Sequence, residues 1–505
     1  MRLLLGVIAL FVSVAVAAHY FYPFFDDDQA LETDYRFIKT ACWFDADWTA
    51  TITCGELKTP ENFRLAVVIL HNDSEQHRVD PIVYLQGGPG ASARLHSDGI
   101  KSWLNWMRYS NTRRDLILID TRGTGHSKPA LLCSDYNQFN QQLLRKNLAL
   151  SEELSQGLDV ALSCFSAAAQ QYPQLDYRNF STKKSAQDIR ALMVQLDYPE
   201  WNILGVSYGT RLALEIAQQE QQAKKEQQSQ NTNLKSMVLD SIYPAGFGGV
   251  QTWPQVLDDG MRQFFNGCME LPTCASKLNL SNVSLEQYFM NALHLLRANP
   301  LSMTIRCWDG EAPINFLVND HRFLSATFAA VYNPVDWPTI VDAINGVFEH
   351  RTILIKPLIE PYLNNSLTSD FNSLTFTAVD CADNPVHAEV DYLESLKKYP
   401  LLQDYTRDQW RYQSCHQLQS ELPLERAAPQ VPTLILSGAL DPITPLAWAR
   451  AVNQEWDQTQ LLVQEKLAHS VLSNDLCLLE NLDTFFDQPS KKFTACSNQD
   501  DSSVK

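Results

Sequence analysis

The chain has 505 residues, of which 45% are hydrophobic and 19% charged; this composition excludes a disordered protein and allows one large domain or two ordinary ones. Its formal net charge of −18 repels phosphate backbones, so we expect no nucleic-acid partner. An acidic surface keeps a protein soluble and would favour cationic substrates, such as peptides with a free amino terminus.

The amino terminus has the pattern of a secretory signal peptide. Arg2 supplies a positive charge, residues 3–16 form an apolar run, and residues 15–17 (AVA) fit a small-x-small cleavage site. We therefore predict a signal peptide at 1–17 and an exported protein, periplasmic or extracellular. Apolar residues resume at 20–25, so an uncleaved membrane anchor is the alternative.

Cysteine usage also favours export. The eleven cysteines include no C-x-x-C pair, which argues against a zinc site or a thioredoxin-type motif. In an oxidising compartment such cysteines form structural disulfides by default, although their spacing does not determine the connectivity. Taken in sequence order they suggest five local pairs and leave Cys307 over: Cys42–Cys54, Cys133–Cys164, Cys268–Cys274, Cys381–Cys415 and Cys477–Cys496. We expect no metal and no organic cofactor.

Short apolar runs separated by helical patterns predict a mostly parallel α/β sheet flanked by helices. The predicted strands, in chain order, are 54–57, 65–70, 81–85, 115–120, 203–206, 234–242, 433–438 and 461–463. The stretch between the sixth and seventh of these strands is too long for a simple connection, and its pattern is helical. We therefore predict a large, mainly helical cap inserted there.

The fifth predicted strand runs into Gly205-x-Ser207-x-Gly209, and good helix formers follow from Tyr208 onward. This pattern at a strand-to-helix junction is the nucleophile elbow, a sharp and strained turn that exposes the serine hydroxyl at the carboxyl edge of the sheet. The turn also places the Tyr208 N–H at a helix N-terminus, where an oxyanion can be bound. Because so short a pattern also occurs by chance, the interpretation depends on partners elsewhere in the chain.

The third predicted strand runs into residues 86–90 (QGGPG). Bare backbone at Gly87 or Gly88 would let a second N–H face the substrate carbonyl, so we expect this loop to complete an oxyanion hole. One alternative is a tight turn that needs positive φ. Another is a phosphate cradle, which is less favoured because no Gly-Lys-Ser/Thr follows.

The fourth predicted strand ends in residues 120–127 (DTRGTGHS). We expect Asp120 and Arg122 to be buried and to brace the loops around the site. We interpret His126 as a loop histidine and not as a general base, because it precedes Ser207 in the chain.

Ser207, Asp441 and His469 are the predicted catalytic residues. Each follows a predicted strand, where open α/β sheets place their sites, and their chain order is that of the α/β-hydrolase fold. Ser207 needs a base to take its proton, His469 is the only histidine after Asp441, and Asp441 would hold the imidazole in the right tautomer. A loop Asp before Pro is more commonly a turn residue, so the prediction depends on the three residues together.

These assignments divide the chain into five predicted parts: a signal peptide (1–17), the first part of an α/β-hydrolase core (40–245), a helical cap (246–424), the C-terminal part of the core (425–496) and a disordered tail (497–505).

Four motifs resemble the prolyl aminopeptidase and tripeptidyl aminopeptidase-like family of serine peptidases: residues 86–90, 120–127, 205–209 and 437–441. The resemblance covers about residues 40–245 and 425–500 and is closest to the secreted tripeptidyl aminopeptidase-like branch. The chain departs from the family pattern at Gln86, where the family usually has His, and at Ala468, where it often has Gly. Neither departure removes a predicted catalytic residue.

The resemblance implies an exported serine exopeptidase that hydrolyses peptide bonds near the free N-terminus of short peptides through an acyl-enzyme. In this family acidic cap residues recognise the α-amino group; Glu270, Asp309, Glu311 and Asp383 are candidates here, and none is favoured. Two alternatives remain open. One is an esterase or lipase that uses the same three residues on small esters, and the other is a non-catalytic binding protein on a hydrolase scaffold.

Overall fold

The structure is a computed structural model that describes residues 34–45, 50–131, 139, 141–173, 175–226, 232–278, 283–306, 312–368, 370–384, 389–407, 414–415, 418, 424 and 426–494. The predicted signal peptide (1–17) and tail (497–505) lie outside these residues. Within the described ranges, no helix is both long enough and apolar enough to cross a membrane.

Of the eleven described strands, nine form one sheet and the other two form a separate pair. In chain order the strands are β1 (Arg36–Thr40), β2 (Ile52–Lys58), β3 (Arg64–Leu70), β4 (Arg78–Leu85), β5 (Arg114–Ile119), β6 (Glu200–Val206), β7 (Asn233–Asp240), β8 (Leu301–Ile305), β9 (Ile314–Val318), β10 (Thr433–Gly438) and β11 (Thr459–Gln464). The sheet order is β1-β2-β3-β5-β4-β6-β7-β10-β11, in which every pair from β5 to β11 is parallel and the pairs from β1 to β5 are antiparallel.

This architecture confirms the predicted α/β sheet and corrects one count. Strand β1 was not predicted from the sequence, and its residues lie at the sheet edge with little burial. The cap therefore follows the seventh strand of the sheet and not the sixth.

Helices cover both faces of the sheet and form most of the insertion after β7. They are α1 (Ser97–Tyr109), α2 (Leu150–Gln171), α3 (Thr182–Leu196), α4 (Tyr208–Lys225), α5 (Trp253–Glu270), α6 (Pro272–Ala275), α7 (Leu285–Ala298), α8 (Asp320–Val331), α9 (Trp337–Phe348), α10 (Thr352–Leu367), α11 (Ser373–Asp383), α12 (Glu389–Leu396), α13 (Gln403–Thr406), α14 (Leu446–Glu455), α15 (Val471–Asn474) and α16 (Leu476–Asp487).

The central strand β5 shows why the core has two halves. All six of its residues are buried, and successive side chains point to opposite faces. Ile117 and Ile119 pack in the cluster that includes residues of α3 and α4, whereas Leu116 and Leu118 pack with residues of α1 and α16. Burial on both faces is what produces a continuous apolar run in place of an alternating one.

The insertion between β7 and β10 has an apolar core of its own. Phe264, Phe289 and Trp337 are fully buried there, on three different helices. The strands β8 and β9 add an antiparallel hairpin that the sequence analysis did not predict. This core is separate from the two sheet clusters, whereas α11 of the insertion packs in the sheet cluster that includes residues of α3 and α4.

Three of the predicted disulfides are present: Cys42–Cys54, Cys268–Cys274 and Cys381–Cys415. Cys164 and Cys477 are also disulfide-bonded. Their predicted partners Cys133 and Cys496, like Cys307, lie outside the described residues. Disulfides are compatible with export to an oxidising compartment.

Arg122 is a buried cation that ties the loop after β5 to neighbouring elements. Its guanidinium donates to both carboxylate oxygens of Asp188, at 2.6 and 2.7 Å, and to Glu61 at 2.9 Å. It also lies over the ring of Phe63 at 4.6 Å. Arg122 and Asp188 are each about 1% exposed, so neither charge has water to replace a lost partner. This arrangement fits the bracing role expected for Arg122.

We expect Arg122→Met to lower the free energy of unfolding by about 3–5 kcal/mol, because it leaves Asp188 buried without its cation. Arg178→Met is the matched control, since the Arg178–Asp176 pair is largely exposed and such pairs contribute at most about 1 kcal/mol. Urea denaturation of both variants measures the difference. Equal losses in the two variants would contradict a bracing role for Arg122.

Candidate active site

Ser207 lies at the junction of β6 and α4 in a strained backbone conformation, with φ 56° and ψ −121°. The turn closes only because two glycines flank it. A Cβ added at Gly209 would lie 2.0 Å from the Leu85 carbonyl oxygen, and one at Gly205 would lie 2.7 Å from the Gly209 carbonyl oxygen. A non-glycine residue held at such dihedral angles stores roughly 1–3 kcal/mol of strain and is characteristic of functional sites.

Asp441 and His469 are hydrogen-bonded to each other. Asp441 Oδ2 lies 2.9 Å from His469 Nδ1, although 28 residues separate them in the chain. Asp441 Oδ1 accepts the N–H groups of Ile443 and Thr444, and Oδ2 also accepts the Thr444 hydroxyl. These donors hold the carboxylate in one orientation, so His469 Nδ1 has a fixed partner and Nε2 is left for another group.

The electrostatics of this pair favour a charged acid and a basic imidazole. Burial alone would raise the pKa of Asp441, but the charge and hydrogen bond of His469 and the Thr444 donors lower it. Burial alone would lower the pKa of His469, but the Asp441 carboxylate outweighs it, and Asp240 adds to the rise. The net effect is an imidazole with a raised pKa, which is suited to accept a proton.

Ser207 and His469 reach the same edge of the sheet through β7. The Ser207 N–H donates to the Asp240 carbonyl oxygen at 2.9 Å, and the Ser470 N–H donates to Ser241 Oγ at 2.9 Å. Among the described residues Ser207 Oγ makes no hydrogen bond. In hydrolases without substrate, the hydrogen bond between the nucleophile hydroxyl and the catalytic base is commonly long, and it shortens only in the complex with substrate.

The loop at 86–90 lies directly beside the elbow. A Cβ built at Gly87 would be 3.3 Å from Ser207 Cβ and 3.7 Å from Ser207 Oγ, so bare backbone faces the hydroxyl there. Gly88 has φ +115°, which favours glycine. The Tyr208 N–H stands at the first turn of α4, while the Tyr208 side chain turns away and hydrogen-bonds the Thr182 hydroxyl at 2.7 Å.

Gln86 takes part in shaping this loop. Its Nε2 donates to the carbonyl oxygens of Ala91, at 3.3 Å, and Ile119, at 3.2 Å. Within the described part of the chain its buried Oε1 has no hydrogen-bond partner. Gln86, at the position where the family usually has His, therefore ties the loop at 86–90 to the end of β5.

The cap contacts both sides of the site. On one side, the Asn372 N–H donates to the Gly90 carbonyl oxygen and the Ser92 N–H to the Asp370 carbonyl oxygen, both at 2.8 Å. On the other side, the Tyr332 ring meets the His469 imidazole edge to face at 5.2 Å. Nothing in the sequence signals these contacts, because they join residues far apart in the chain.

The other residues singled out in the fourth strand's loop have structural roles. Asp120 is buried and accepts the N–H groups of Ala93, at 2.7 Å, and His126, at 2.8 Å. Burial raises the pKa of Asp120 to about 6, partly offset by these two donors. The His126 ring packs against Trp43 and burial lowers its pKa, as expected of a loop histidine.

Two of the four candidate amine-binding residues, Glu270 and Asp383, lie in described parts of the chain. Asp383 is buried at the end of α11, where it accepts the N–H and hydroxyl of Thr182 at 3.1 and 2.5 Å. Glu270 is exposed at the end of α5. Asp309 and Glu311 lie outside the described residues. Among the described residues no group of three or more His, Cys, Asp or Glu could hold a metal ion.

Comparison with known proteins identifies the fold and the family that the chain resembles. Residues 80–315 match the family described as "alpha/beta hydrolase fold", and residues 399–496 match the family described as "TAP-like protein". The sheet and these matches show that the chain has the α/β-hydrolase fold. Among proteins of this fold it is similar to tripeptidyl aminopeptidase-like proteins, which confirms the resemblance found in its motifs.

The curated relatives are distant. Tripeptidyl aminopeptidases of Streptomyces coelicolor and Streptomyces lividans are 28% identical over 196 and 197 residues, which cover 34% of this chain and 34% of each relative. Serine protease Hip1 of Mycobacterium tuberculosis is 21% identical over 346 residues, covering 66% of this chain and 63% of the relative. The chain thus spans about a third of the length of the first two relatives.

Proposed function

We propose that this protein is an exported serine peptidase of the aminopeptidase type, which removes residues from the free N-terminus of short peptides. The observation that carries the proposal is the 2.9 Å hydrogen bond between Asp441 and His469 at the sheet edge where the elbow presents Ser207. Relatives named tripeptidyl aminopeptidase and serine protease support the peptidase class. In this proposal Ser207, Asp441 and His469 are the catalytic residues.

The first half of the reaction forms an acyl-enzyme. His469 Nε2 takes the proton of the Ser207 hydroxyl as the oxygen attacks the scissile carbonyl carbon. Asp441 keeps the other proton of the imidazole on Nδ1 and stabilises the imidazolium. His469 then gives the proton to the departing amine, and the amide C–N bond breaks.

The second half uses the same groups with water. His469 takes a proton from a water molecule, whose oxygen attacks the ester carbonyl, and Ser207 recovers its hydrogen as it leaves. In both halves a negative charge develops on the carbonyl oxygen. The N–H of Tyr208 and an N–H from Gly87 or Gly88 are the proposed donors to this oxygen, and each such donor contributes about 10²–10³ in rate.

Two features favour short peptides with a free amine: the net charge and the position of the cap. The net charge of −18 attracts cationic substrates and steers them by long-range electrostatics. The cap contacts both the loop at 86–90 and His469, so it narrows the approach to Ser207 and favours short chains. The disulfides support export, since they persist in oxidising compartments.

A fluorophosphonate probe followed by a peptide panel tests the proposal. The probe should label the wild-type protein and should fail to label the Ser207→Ala variant. Fluorogenic tri- and tetrapeptides should be cleaved when the amine is free and resist cleavage when it is acetylated. Equal rates on free and acetylated peptides would contradict the exopeptidase assignment.

Two other outcomes would redirect the assignment. The same three residues could hydrolyse esters, because both reactions pass through the same kind of tetrahedral intermediate. Turnover of short acyl esters with no turnover of any peptide would therefore favour an esterase. Folded protein that never reacts with the probe would favour a binding protein on a hydrolase scaffold.

A further inference from the structure

A second buried carboxylate, Asp240, stands at the end of β7 between the nucleophile and the base. Its side chain is fully buried. Its backbone carbonyl accepts the N–H of Ser207, as described above. Asp240 is therefore attached to the nucleophile turn by its backbone while its side chain remains free to bind another element.

That other element is the segment that carries His469. Asp240 Oδ1 accepts the Val471 N–H and Oδ2 accepts the Leu472 N–H, both at 2.9 Å. Ser241 completes the anchor, since its hydroxyl donates to Asp240 Oδ1 at 3.2 Å and accepts the Ser470 N–H. Three successive backbone N–H groups after His469 are thus held from the strand next to the nucleophile.

We propose that Asp240 is a positioning residue for the general base. Its carboxylate fixes the backbone segment that follows His469 and places a second negative charge near the imidazole. The inference rests on the proposed role of Ser207 and His469 in a serine hydrolase, but not on the peptide substrate. The base then depends on two carboxylates: Asp441 is hydrogen-bonded to the ring of His469, and Asp240 to the backbone N–H groups of Val471 and Leu472.

The charge of Asp240 acts on the imidazole in a known direction. The groups that face His469 are Asp441 from the loop after β10, Asp240 from β7 and the phenol of Tyr332 from the cap. Both carboxylates favour the imidazolium and so raise the pKa of His469. Asp240 in turn faces His469 and Tyr84 of β4.

The sign of the pH effect follows. Attack by Ser207 requires neutral His469, so the rate falls on the acid side as the imidazole gains a proton. Removing the Asp240 charge makes the imidazolium less favourable and so lowers the pKa of His469. The acid limb of the rate profile then moves to lower pH, whereas a purely structural weakening of the loop would lower the plateau and leave the limb in place.

The test compares Asp240→Asn with Asp120→Asn. Both carboxylates are fully buried at strand ends, each accepts two backbone N–H groups, and burial raises the pKa of each to about 6. Asp120 binds Ala93 and His126 and is not among the groups that face His469. The readout is the rate constant for inactivation by a fluorophosphonate across the acid limb, which needs Ser207 and His469 but no peptide.

For Asp240→Asn we expect the acid limb to move to lower pH and the plateau rate to fall by about 10- to 100-fold, because the amide can accept only one of the two N–H groups and the base is misplaced. Asp120→Asn should leave the acid limb where it is in the wild type. Coincident acid limbs in the wild type and Asp240→Asn would overturn the inference.

A second pair of variants decides the question if Asp240→Asn does not fold. Ser241→Ala removes the acceptor of the Ser470 N–H and keeps the carboxylate, so we expect a plateau rate about 3- to 10-fold lower with an unmoved acid limb. Ser236→Ala removes a buried hydroxyl in the middle of β7, which donates to the Asn202 side-chain oxygen, and should keep the wild-type rate. A wild-type rate in Ser241→Ala would overturn the positioning role.

Failure of this inference is distinct from failure of the proposed function. Wild-type protein that does not react with the fluorophosphonate would defeat the serine hydrolase itself. Wild-type protein that reacts but cleaves only esters would defeat the peptidase and leave the role of Asp240 standing.

Discussion

Ser207→Ala is expected to lower kcat by about 10⁴- to 10⁶-fold, with residual turnover from substrate binding and the oxyanion donors alone. The reason is that no acyl-enzyme can form without the hydroxyl, however well the other groups are placed. Hydrolysis of a fluorogenic peptide or ester measures the loss. The matched control is Ser236→Ala, which deletes a buried hydroxyl in the middle of β7. A Ser207→Ala rate within tenfold of the wild type would mean that another nucleophile acts.

A comparison of Ser207→Ala with Ser207→Gly separates chemistry from backbone strain. Both variants lack the nucleophile, so both should be inactive. The φ of 56° and ψ of −121° cost Ala as much as Ser, but glycine adopts them freely. Glycine also gives the unfolded chain more conformational entropy, which offsets part of the relieved strain. The free energy of unfolding of Ser207→Gly should therefore be about 0.5–2 kcal/mol higher than that of Ser207→Ala. Equal stabilities in urea denaturation would show that the elbow is not strained.

The elbow was predictable because all of its determinants are local. An apolar run sets the strand, two glycines set the turn, and helix formers follow within a few residues of Ser207. The same holds for the strand ends that carry Asp441 and His469, which the chain order of the fold ties to Ser207. Local patterns of this kind can be recognised in a single sequence, because they do not depend on contacts with distant residues.

The missed features are those whose partners are distant. The strand β1 has an ambiguous sequence, RFIKT, and becomes a strand through antiparallel pairing with β2, for example Phe37 opposite Leu57. Asp240 lies near the end of a predicted strand, which is a usable signal, but its side-chain hydrogen bonds go to residues more than 230 positions later. The contact of Asn372 with Gly90 likewise depends on how the cap sits on the core.

Asp441→Asn is expected to lower kcat/KM at neutral pH by about 10⁴-fold, although Asn has nearly the shape of Asp. The hydrogen bonds around the carboxylate decide how the amide sits. Oδ1 accepts two N–H groups, from Ile443 and Thr444, so an NH₂ at that position would face two donors. The amide therefore keeps its oxygen there and turns its NH₂ toward His469.

That orientation forces the wrong imidazole tautomer. An NH₂ in place of Oδ2 donates to Nδ1 and moves the ring proton to Nε2, which can then no longer accept the proton of Ser207. Asp441→Ala lacks this donor and lets water fill the space, so Asp441→Asn should lose at least as much activity as Asp441→Ala. Fluorophosphonate inactivation rates of both variants, with thermal unfolding as the check on folding, measure the comparison. If Asp441→Asn kept more than a tenth of the wild-type rate, Asp441 would not be the residue that orients the base.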